Sequence, residues 1–163
     1  MIAILQDGEE IEFTDRSQRW LASWHPPADP PIRKRHGSTG ICQIPTGEIV
    51  LISQDGQTWD FPGGRPEGEE SWEETLKREM MEEACARVTT ARLLGFSVGK
   101  CIEGHEQGLV LVRAVWHAQV ELLDWIAEFE TTHRKTAPPS QSIPETPAIY
   151  HPMWRRAFAD AGF

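Results

Sequence analysis

The stretch WDFPGGRPEGEESWEETLKREMMEEACA, residues 59–86, decides the fold and the chemistry of this chain. Its Pro-Gly-Gly run is a turn signal, because proline presets one turn position and glycine accepts a positive φ at the next. Ser71 is a favoured helix N-cap, and Glu74 three residues later completes a capping box. Apolar residues then recur every four positions, namely Trp72, Leu76 and Met80. The stretch therefore predicts a tight turn followed by an amphipathic helix.

Three carboxylates lie on neighbouring turns of that helix, at Glu79, Glu82 and Glu83. Like charges three and four residues apart repel one another, and the helix dipole disfavours anions near the C-terminal end. The arrangement works against the helix, whereas a divalent cation would neutralise it, because Mg²⁺ favours oxygen ligands. The spacing therefore predicts a site for metal-assisted phosphate chemistry. Arg78 lies beside Glu79, and its planar fork of donors can orient carboxylates.

This segment resembles the Nudix box of the Nudix hydrolase family, which places one glycine, one glutamate, an Arg-Glu pair and a Glu-Glu pair at fixed spacings. The matching positions are Gly64, Glu70, Arg78, Glu79, Met80, Glu82 and Glu83. The preceding residues 59–64 are similar to the family's usual lead-in. Cys85 stands where the family has a glycine. If that position requires a positive φ, cysteine should cost about 1 kcal/mol relative to glycine.

The resemblance implies hydrolysis of a nucleoside diphosphate linked to another moiety, with Mg²⁺, or else Mn²⁺, as the cofactor. It implies four metal ligands, Gly63 (through its carbonyl oxygen), Glu79, Glu82 and Glu83. The same three carboxylates and Arg78 are the implied catalytic residues. Arg78 is expected to orient Glu79, and Glu70 is expected to brace the turn. One carboxylate could instead deprotonate the attacking water, and the sequence leaves open which one does so.

Two further polar segments are weaker candidates. Residues 100–107 lie between two predicted strands, and Glu103, His105 and Glu106 could supply a further base. A solvated hairpin loop is the simpler interpretation of each of them. The basic run over residues 33–36 could guide a phosphate substrate, although an exposed lead-in to a strand accounts for it better.

The bulk composition describes a chain of 163 residues with a formal net charge of −9, from 16 basic and 25 acidic residues. That length suits one domain with its own core. The negative charge argues against bulk binding to nucleic acid or to an anionic membrane. No segment is apolar over the length needed to cross a bilayer. Scattered cysteines indicate reduced thiols in a cytoplasmic protein, namely Cys42, Cys85 and Cys101.

Short apolar runs separated by turn residues predict β-strands on both sides of the helix. The predicted strands span residues 40–44, 48–53, 58–61, 92–98 and 109–120. A proline-rich loop over residues 137–147 and a closing helix over residues 151–161 follow. This order predicts an α/β sandwich. The resemblance implies a Nudix-type α/β/α sandwich with a mixed central sheet, in one domain over residues 1–163 whose core spans residues 36–160.

Residues 1–31 are expected to form an N-terminal extension of that domain. Residues 1–13 predict two short strands around Asp7-Gly8, which is a hairpin turn signal. A short helix is predicted next, capped by Thr14 or Asp15 and carrying Trp20, Leu21 and Trp24. The prolines between residues 26 and 31 cannot continue a helix and predict a linker.

The sequence does not assign the residues that bind the substrate. Marks that accompany some Nudix subfamilies are absent: no proline lies between Pro66 and Pro138, the one tyrosine is Tyr150, and no SQPWPFP-type run occurs. The expected substrate is therefore a small nucleotide or nucleotide sugar of unassigned type. The alternative is a ligand-sensing or protein-binding module without turnover, although such modules usually lose the carboxylates that this chain keeps. A homodimer is a further expectation by analogy with the family.

Overall fold

A mixed sheet of nine strands forms the centre of the molecule. The computed structural model describes residues 3–163. The strands are β1 (Ile11–Asp15), β2 (Gln18–His25), β3 (Lys34–Gln43), β4 (Ile49–Ser53), β5 (Trp59–Asp60), β6 (Gly63–Gly64), β7 (Ala86–Glu103), β8 (Val110–Leu122) and β9 (His133–Ala137). They run in the order β1-β2-β7-β8-β3-β4-β5, with β6 beside β3 and β9 beside β4. Strands β3 and β8 are parallel, and the other pairs are antiparallel.

Within the described residues, three α-helices accompany the sheet: α1 (Trp72–Ala84), α2 (Pro139–Glu145) and α3 (His151–Ala161). Helices α1 and α3 cover opposite faces. On β8, Ala114 and Trp116 belong to the same apolar core as Leu76 of α1. Val115 points the other way and shares a second core with Phe158 of α3, because side chains alternate across a strand. The predicted α/β sandwich with a mixed central sheet is confirmed. No helix within residues 3–163 is long and apolar enough to span a membrane.

Helix α1 begins and ends as its sequence dictates. The Glu74 N–H donates to Ser71 Oγ (3.1 Å), and the Ser71 N–H donates to Glu74 Oε2 (2.9 Å), which completes the predicted capping box. The helix ends at Cys85, whose φ of 47° and ψ of 47° are left-handed. The position therefore does require the positive φ for which glycine is better suited, and the cysteine costs about 1 kcal/mol there.

The glycine turn is held against the centre of the sheet. Strand β6 pairs with β3 through Gly64 with Ser38 and through Gly63 with Thr39. A side chain at Gly37 would prevent this, because its Cβ would lie 1.8 Å from the carbonyl oxygen of Gly64. Gly37 also has a φ of +140°, which an L side chain rarely adopts. Glycine on β3 thus lets the turn approach closely.

The N-terminal predictions were partly wrong. A hairpin does form, but its turn is at Arg16 and Ser17, which have φ values of 48° and 63°, and its strands are β1 and β2. The helix expected to carry Trp20, Leu21 and Trp24 is strand β2. The spacing of its apolar residues fits the period of a helix as well as that of a strand. In the structure, Trp20 and Trp24 point to the same buried face of the strand. Residues 1 and 2 of the predicted first strand lie outside the described residues, and residues 26–31 do connect β2 to β3 without regular structure, as expected.

The C-terminal third was predicted in part. Helix α3 has the expected bounds, and the two strands after α1 are longer than expected. The loop prediction for residues 137–147 was wrong, because helix α2 forms inside it despite Pro144. Pro139 takes the first helical position, where a missing N–H costs nothing. Strand β9 was not predicted, since its sequence HRKTA has little apolar character and is ordered by pairing with β4.

Candidate active site

A cavity of about 1320 Å³ opens beside the glycine turn and the second half of α1. We call it the central cavity. Its lining includes all the residues to which the sequence assigned metal binding, namely Gly63, Glu79, Glu82 and Glu83. Arg78 lines it as well. The fold therefore brings the whole predicted set to one surface.

Gly64 admits the Glu79 side chain. A Cβ at Gly64 would lie 2.2 Å from the carboxyl carbon of Glu79 and from its Oε1. A Cβ at Gly63 would lie 2.6 Å from the carbonyl oxygen of Ser38 and from Thr39 Oγ1. Both positions thus require glycine, because Gly64 lies close to the Glu79 carboxylate and Gly63 lies close to strand β3. The buried Glu79 carboxylate lies directly against the turn as a result.

Arg78 ties the turn to the helix. Its Nη1 donates to Glu79 Oε1 (2.9 Å) and to Glu82 Oε2 (3.1 Å), its Nε donates to Glu70 Oε2 (2.9 Å), and its Nη2 donates to the carbonyl oxygen of Arg65 (2.7 Å). These ion pairs raise the pKa of Arg78, with Glu70 as the largest cause. One guanidinium therefore contacts both the segment after the glycine turn and two carboxylates of α1.

Glu70 braces the turn. Its Oε1 accepts the Glu67 N–H (2.6 Å), and its carboxylate receives two N–H groups of Arg78. These bonds hold the pKa of Glu70 below its usual value, the Arg78 contact being the largest cause. The carboxylate is therefore occupied by protein donors, in agreement with the predicted bracing role.

Glu83 differs from the other carboxylates of the site. Among the described residues, no group donates a hydrogen bond to its carboxylate, although Thr131 Oγ1 donates to its backbone carbonyl oxygen (2.6 Å). Burial is the largest cause that raises its pKa to about 7, and Glu79, Glu130 and Glu82 add to the shift. Burial also raises the pKa of Glu79, and the Arg78 contact only partly offsets that shift. The cavity wall on α1 thus carries negative charge that protein groups do not fully compensate.

This donor set fits a divalent cation in chemistry. The ligand atoms are carboxylate and carbonyl oxygens, which hard cations prefer. The negative charge of the Glu83 carboxylate has no partner among the described residues that would compensate it. Within residues 3–163, no three acidic, histidine or cysteine side chains already form a metal cluster. The carboxylates share a cavity wall without yet converging on one point.

The three further candidate bases, Glu103, His105 and Glu106, do not all lie at the central cavity. Glu103 pairs with Arg19 (2.5 Å) on the surface, and His105 is exposed in the turn after β7. Glu106 lines the central cavity. It is held by Gln18, whose Nε2 donates to Glu106 Oε2 (2.8 Å) and whose Oε1 accepts the Glu106 N–H (2.9 Å). Of the three, Glu106 alone lines the site.

Residues of the basic run 33–36 also differ in whether they reach the central cavity. Arg35 is exposed, lies over the Trp72 ring at 5.0 Å and donates to the carbonyl oxygen of Glu70 (3.2 Å). His36 lines the central cavity instead. The pKa of His36 is lowered to about 4, with burial as the largest cause and the nearby charges of Arg113, Arg65 and Lys34 as further causes. His36 is therefore neutral at physiological pH.

Asp60 and Arg113 also line the central cavity, although the sequence did not predict them as site residues. Burial raises the pKa of Asp60 and lowers that of Arg113. A signal for Arg113 was present, because it is the one charged residue in the apolar run LVLVRAVW over residues 109–116. A charge inside a central strand requires a partner or a ligand. Asp60 gave no comparable signal.

Comparison with known proteins gives one family. A family model described as the NUDIX domain matches residues 34–146. A candidate 8-oxo-dGTP diphosphatase, YtkD of Bacillus subtilis strain 168, is 33% identical over 92 residues, which are 56% of this chain and 54% of that protein. The match thus spans about half the length of this curated relative.

Two solved structures show the same fold over most of the chain. The Bacillus subtilis pyrophosphohydrolase BsRppH has a TM-score of 0.66 at 25% identity, over 94% of this chain and 98% of that one. The MutT protein of Methanosarcina mazei Go1 has a TM-score of 0.60 at 18% identity, over 82% of this chain and 99% of that one. The second likeness concerns the fold alone.

Proposed function

This chain belongs to the NUDIX domain family, and we propose that it is a metal-dependent hydrolase that cleaves a diphosphate bond in a nucleoside diphosphate linked to another moiety. The observation that carries the proposal is the wall of the central cavity. Three carboxylates of α1 line it beside the glycine turn, and Arg78 holds two of them, Glu79 and Glu82, through one nitrogen. A purely structural helix gains nothing from acids in that arrangement.

Mg²⁺ is the proposed cofactor, with Mn²⁺ as a substitute, held by Glu79, Glu82, Glu83 and the carbonyl oxygen of Gly63. When bound, such an ion offsets phosphate charge and lowers the pKa of a coordinated water. Arg78 holds Glu79 and Glu82 on the cavity wall, from which their carboxylates would turn towards a bound ion. The Glu83 carboxylate accepts no hydrogen bond from the described residues and is therefore the one most open to a cation or to a proton.

The rest of the central cavity supports a nucleotide as the substrate. Aromatic rings of Phe13, Phe61 and Trp154 line it, and Phe61 and Trp154 pack edge to face with centroids 4.6 Å apart. Aromatic faces are suited to stacking a nucleobase. Because YtkD is described as a candidate 8-oxo-dGTP diphosphatase, oxidised and unmodified purine nucleoside triphosphates are the first substrates to test.

A substrate panel tests this proposal. It should contain nucleoside triphosphates, 8-oxo-dGTP, dinucleotides and nucleotide sugars, each with Mg²⁺ and with EDTA. We expect hydrolysis of at least one compound, with Mg²⁺ only. Glu83→Gln should lower kcat/KM by about 10²- to 10⁴-fold, the usual contribution of a positioned acid or base. Glu73→Gln, in the exposed first turn of α1, is the matched control and should retain activity.

Failure of the whole panel would favour the alternative function. A ligand-sensing module would bind a nucleotide tightly, which calorimetry would detect, and would release it unchanged. The retention of Glu79, Glu82 and Glu83 on the cavity wall supports turnover instead.

We also propose a single domain over residues 1–163 that works in the cytoplasm. Strand β2 of the N-terminal extension pairs with β7, so the extension continues the sheet of the core. The three cysteines are unpaired, which suits a reducing compartment. A homodimer is proposed through the free edge of β1, which pairs only with β2 among the described strands. Light scattering of the purified protein measures that state.

A further inference from the structure

The lining of the central cavity carries charged side chains of both signs. One wall carries Glu79, Glu82 and Glu83, while Arg113, Arg65 and His36 line the same cavity. Arg113 and Arg65 are close enough to His36 to disfavour its protonation, so two cationic side chains and a neutral imidazole form one region that we call basic. A metal at the acidic wall leaves the role of this region unexplained.

Arg113 lies at the centre of the fold. It is on β8, where it pairs with Ser97 of β7 on one side and with Gly37 of β3 on the other. Its Nη1 donates to Thr39 Oγ1 (2.8 Å). Thr39 is 3% exposed and is the strand partner of Gly63. The guanidinium is therefore anchored next to the glycine turn.

Arg113 uses little of its hydrogen-bonding capacity. A guanidinium has five N–H donors, and Thr39 Oγ1 is the one acceptor that the described residues supply to it. Two other half-buried arginines use more of theirs, because Arg78 binds three carboxylates and Arg134 donates to three carbonyl oxygens. Burying a cation without partners is costly. Part of Arg113 remains open to the central cavity, where an anion could supply the missing acceptors.

The nearest carboxylates do not supply these acceptors. Asp60 and Glu79 act on the charge of Arg113 through space. Neither makes a hydrogen bond to Arg113, and neither lies within the 4.0 Å of an ion pair with it in the described structure. The geometry thus leaves room beside the guanidinium on the side of the cavity.

We propose that Arg113 is a substrate-binding residue that receives a phosphate group of the nucleotide, with His36 and Arg65 beside it. The planar fork of arginine matches two oxygens of a phosphate, which a lysine ammonium cannot do. Thr39 is a positioning residue that fixes the fork. The phosphate then spans the space between a basic wall and a metal-binding acidic wall. The inference rests on the proposed function only in taking the anion to be part of a nucleotide.

Binding of inorganic pyrophosphate tests the inference without turnover. Calorimetric titration, with EDTA and with Mg²⁺, would compare the wild-type protein with Arg113→Gln and Arg113→Lys. Loss of a charge-assisted pair predicts a Kd increase of about 10- to 100-fold for Arg113→Gln. Arg113→Lys should fall between this variant and the wild type. Arg92→Gln is the matched control, since Arg92 is exposed on β7 and donates to the carbonyl oxygen of Asp160. Its Kd should not change.

Thr39→Val provides a second test in case Arg113→Gln does not fold. It keeps the charge and the shape while removing the anchor of the guanidinium, and should weaken pyrophosphate binding about 2- to 10-fold. Circular dichroism and Tm would establish that each variant is folded. An unchanged Kd in folded Arg113→Gln, or in both Arg113→Lys and Thr39→Val, would overturn the inference. So would a wild-type protein that does not bind pyrophosphate at millimolar concentration.

The outcome separates this inference from the proposed function. If Glu83→Gln abolishes hydrolysis while Arg113→Gln leaves both Kd and KM unchanged, the hydrolase stands and the phosphate role of Arg113 fails. If no nucleotide is hydrolysed but pyrophosphate binding falls in Arg113→Gln, the anion site stands and the hydrolase fails.

Discussion

Glu79 occupies the space that a side chain at Gly64 would need, since a Cβ there would lie 2.2 Å from the Glu79 carboxyl carbon. The three atoms nearest to that position all belong to the Glu79 carboxylate. The glycine of the turn and the acid of the helix are thus fitted to each other, although 15 positions separate Gly64 from Glu79 (79 − 64).

Gly64→Ala is therefore expected to displace Glu79. Overpacking of this kind costs about 1–3 kcal/mol of unfolding free energy, and activity should fall with it. Urea unfolding measures the cost. In a Glu79→Ala background the same substitution should cost much less, because the clashing carboxylate is gone. Equal costs in the two backgrounds would show that the close approach is not what requires glycine.

Arg78→Gln should destabilise the protein by about 1–3 kcal/mol, since it leaves the partly buried carboxylates of Glu70, Glu79 and Glu82 without their shared partner. The matched control is Arg87→Gln, whose pair with Glu121 is exposed on both sides. That variant should change stability by about 0–1 kcal/mol. Chemical denaturation of both variants tests the prediction, and similar costs would argue against the bracing role of Arg78.

Cys85→Gly should stabilise the protein by about 1 kcal/mol, because the position is left-handed and glycine adopts it without a Cβ penalty. The control is Ala84→Gly one residue earlier, which should destabilise, since Ala84 is buried within the helix. Thermal unfolding measures both. A lower Tm for Cys85→Gly would mean that packing of the thiol outweighs backbone strain.

The stability of the protein should depend on His36 below neutral pH. The folded-state pKa of His36 is about 4, against an ordinary value of 6.5. As the pH falls, the unfolded chain therefore binds a proton at His36 before the folded protein does. The contribution of neutral His36 to folding stability is complete above pH 6.5 and is lost as the pH falls towards 4. The residue is partly solvent-exposed, so the measured effect should be smaller than the full shift implies.

His36→Gln tests this pH dependence. The unfolding free energy of the variant should decline less steeply than that of the wild type between pH 6.5 and 4. Denaturant titrations at several pH values would measure the difference between the two slopes. Parallel curves would contradict the placement of a neutral His36 in the cavity.

The sequence predicted the parts of the fold whose determinants are local. The capping box, the periodic apolar face and the glycine turn all lie within residues 61–86, so neighbouring residues decide their structure. Strand β2 was misread because its apolar residues fit a helix as well as a strand, and only pairing with β7 selects the strand.

The site was likewise predicted only where neighbouring residues in the sequence determine it. The carboxylates of α1 were recognised because they share one helix. The place of Arg113 in the site depends on Thr39, which is 74 residues away in the sequence and is brought close by the parallel pairing of β3 with β8. No local pattern reports such a contact, although a charge within an apolar strand indicates that one must exist.

Whether α1 holds a metal ion against the nucleotide can be seen by diffraction from crystals soaked in Mn²⁺ and a non-hydrolysable nucleotide, because anomalous scattering locates the ion. We expect one or more Mn²⁺ peaks in contact with the Glu79 and Glu83 carboxylates and with phosphate oxygens of the nucleotide. A bound nucleotide with no Mn²⁺ peak between Glu79 and Glu83, and with these side chains pointing apart, would contradict it.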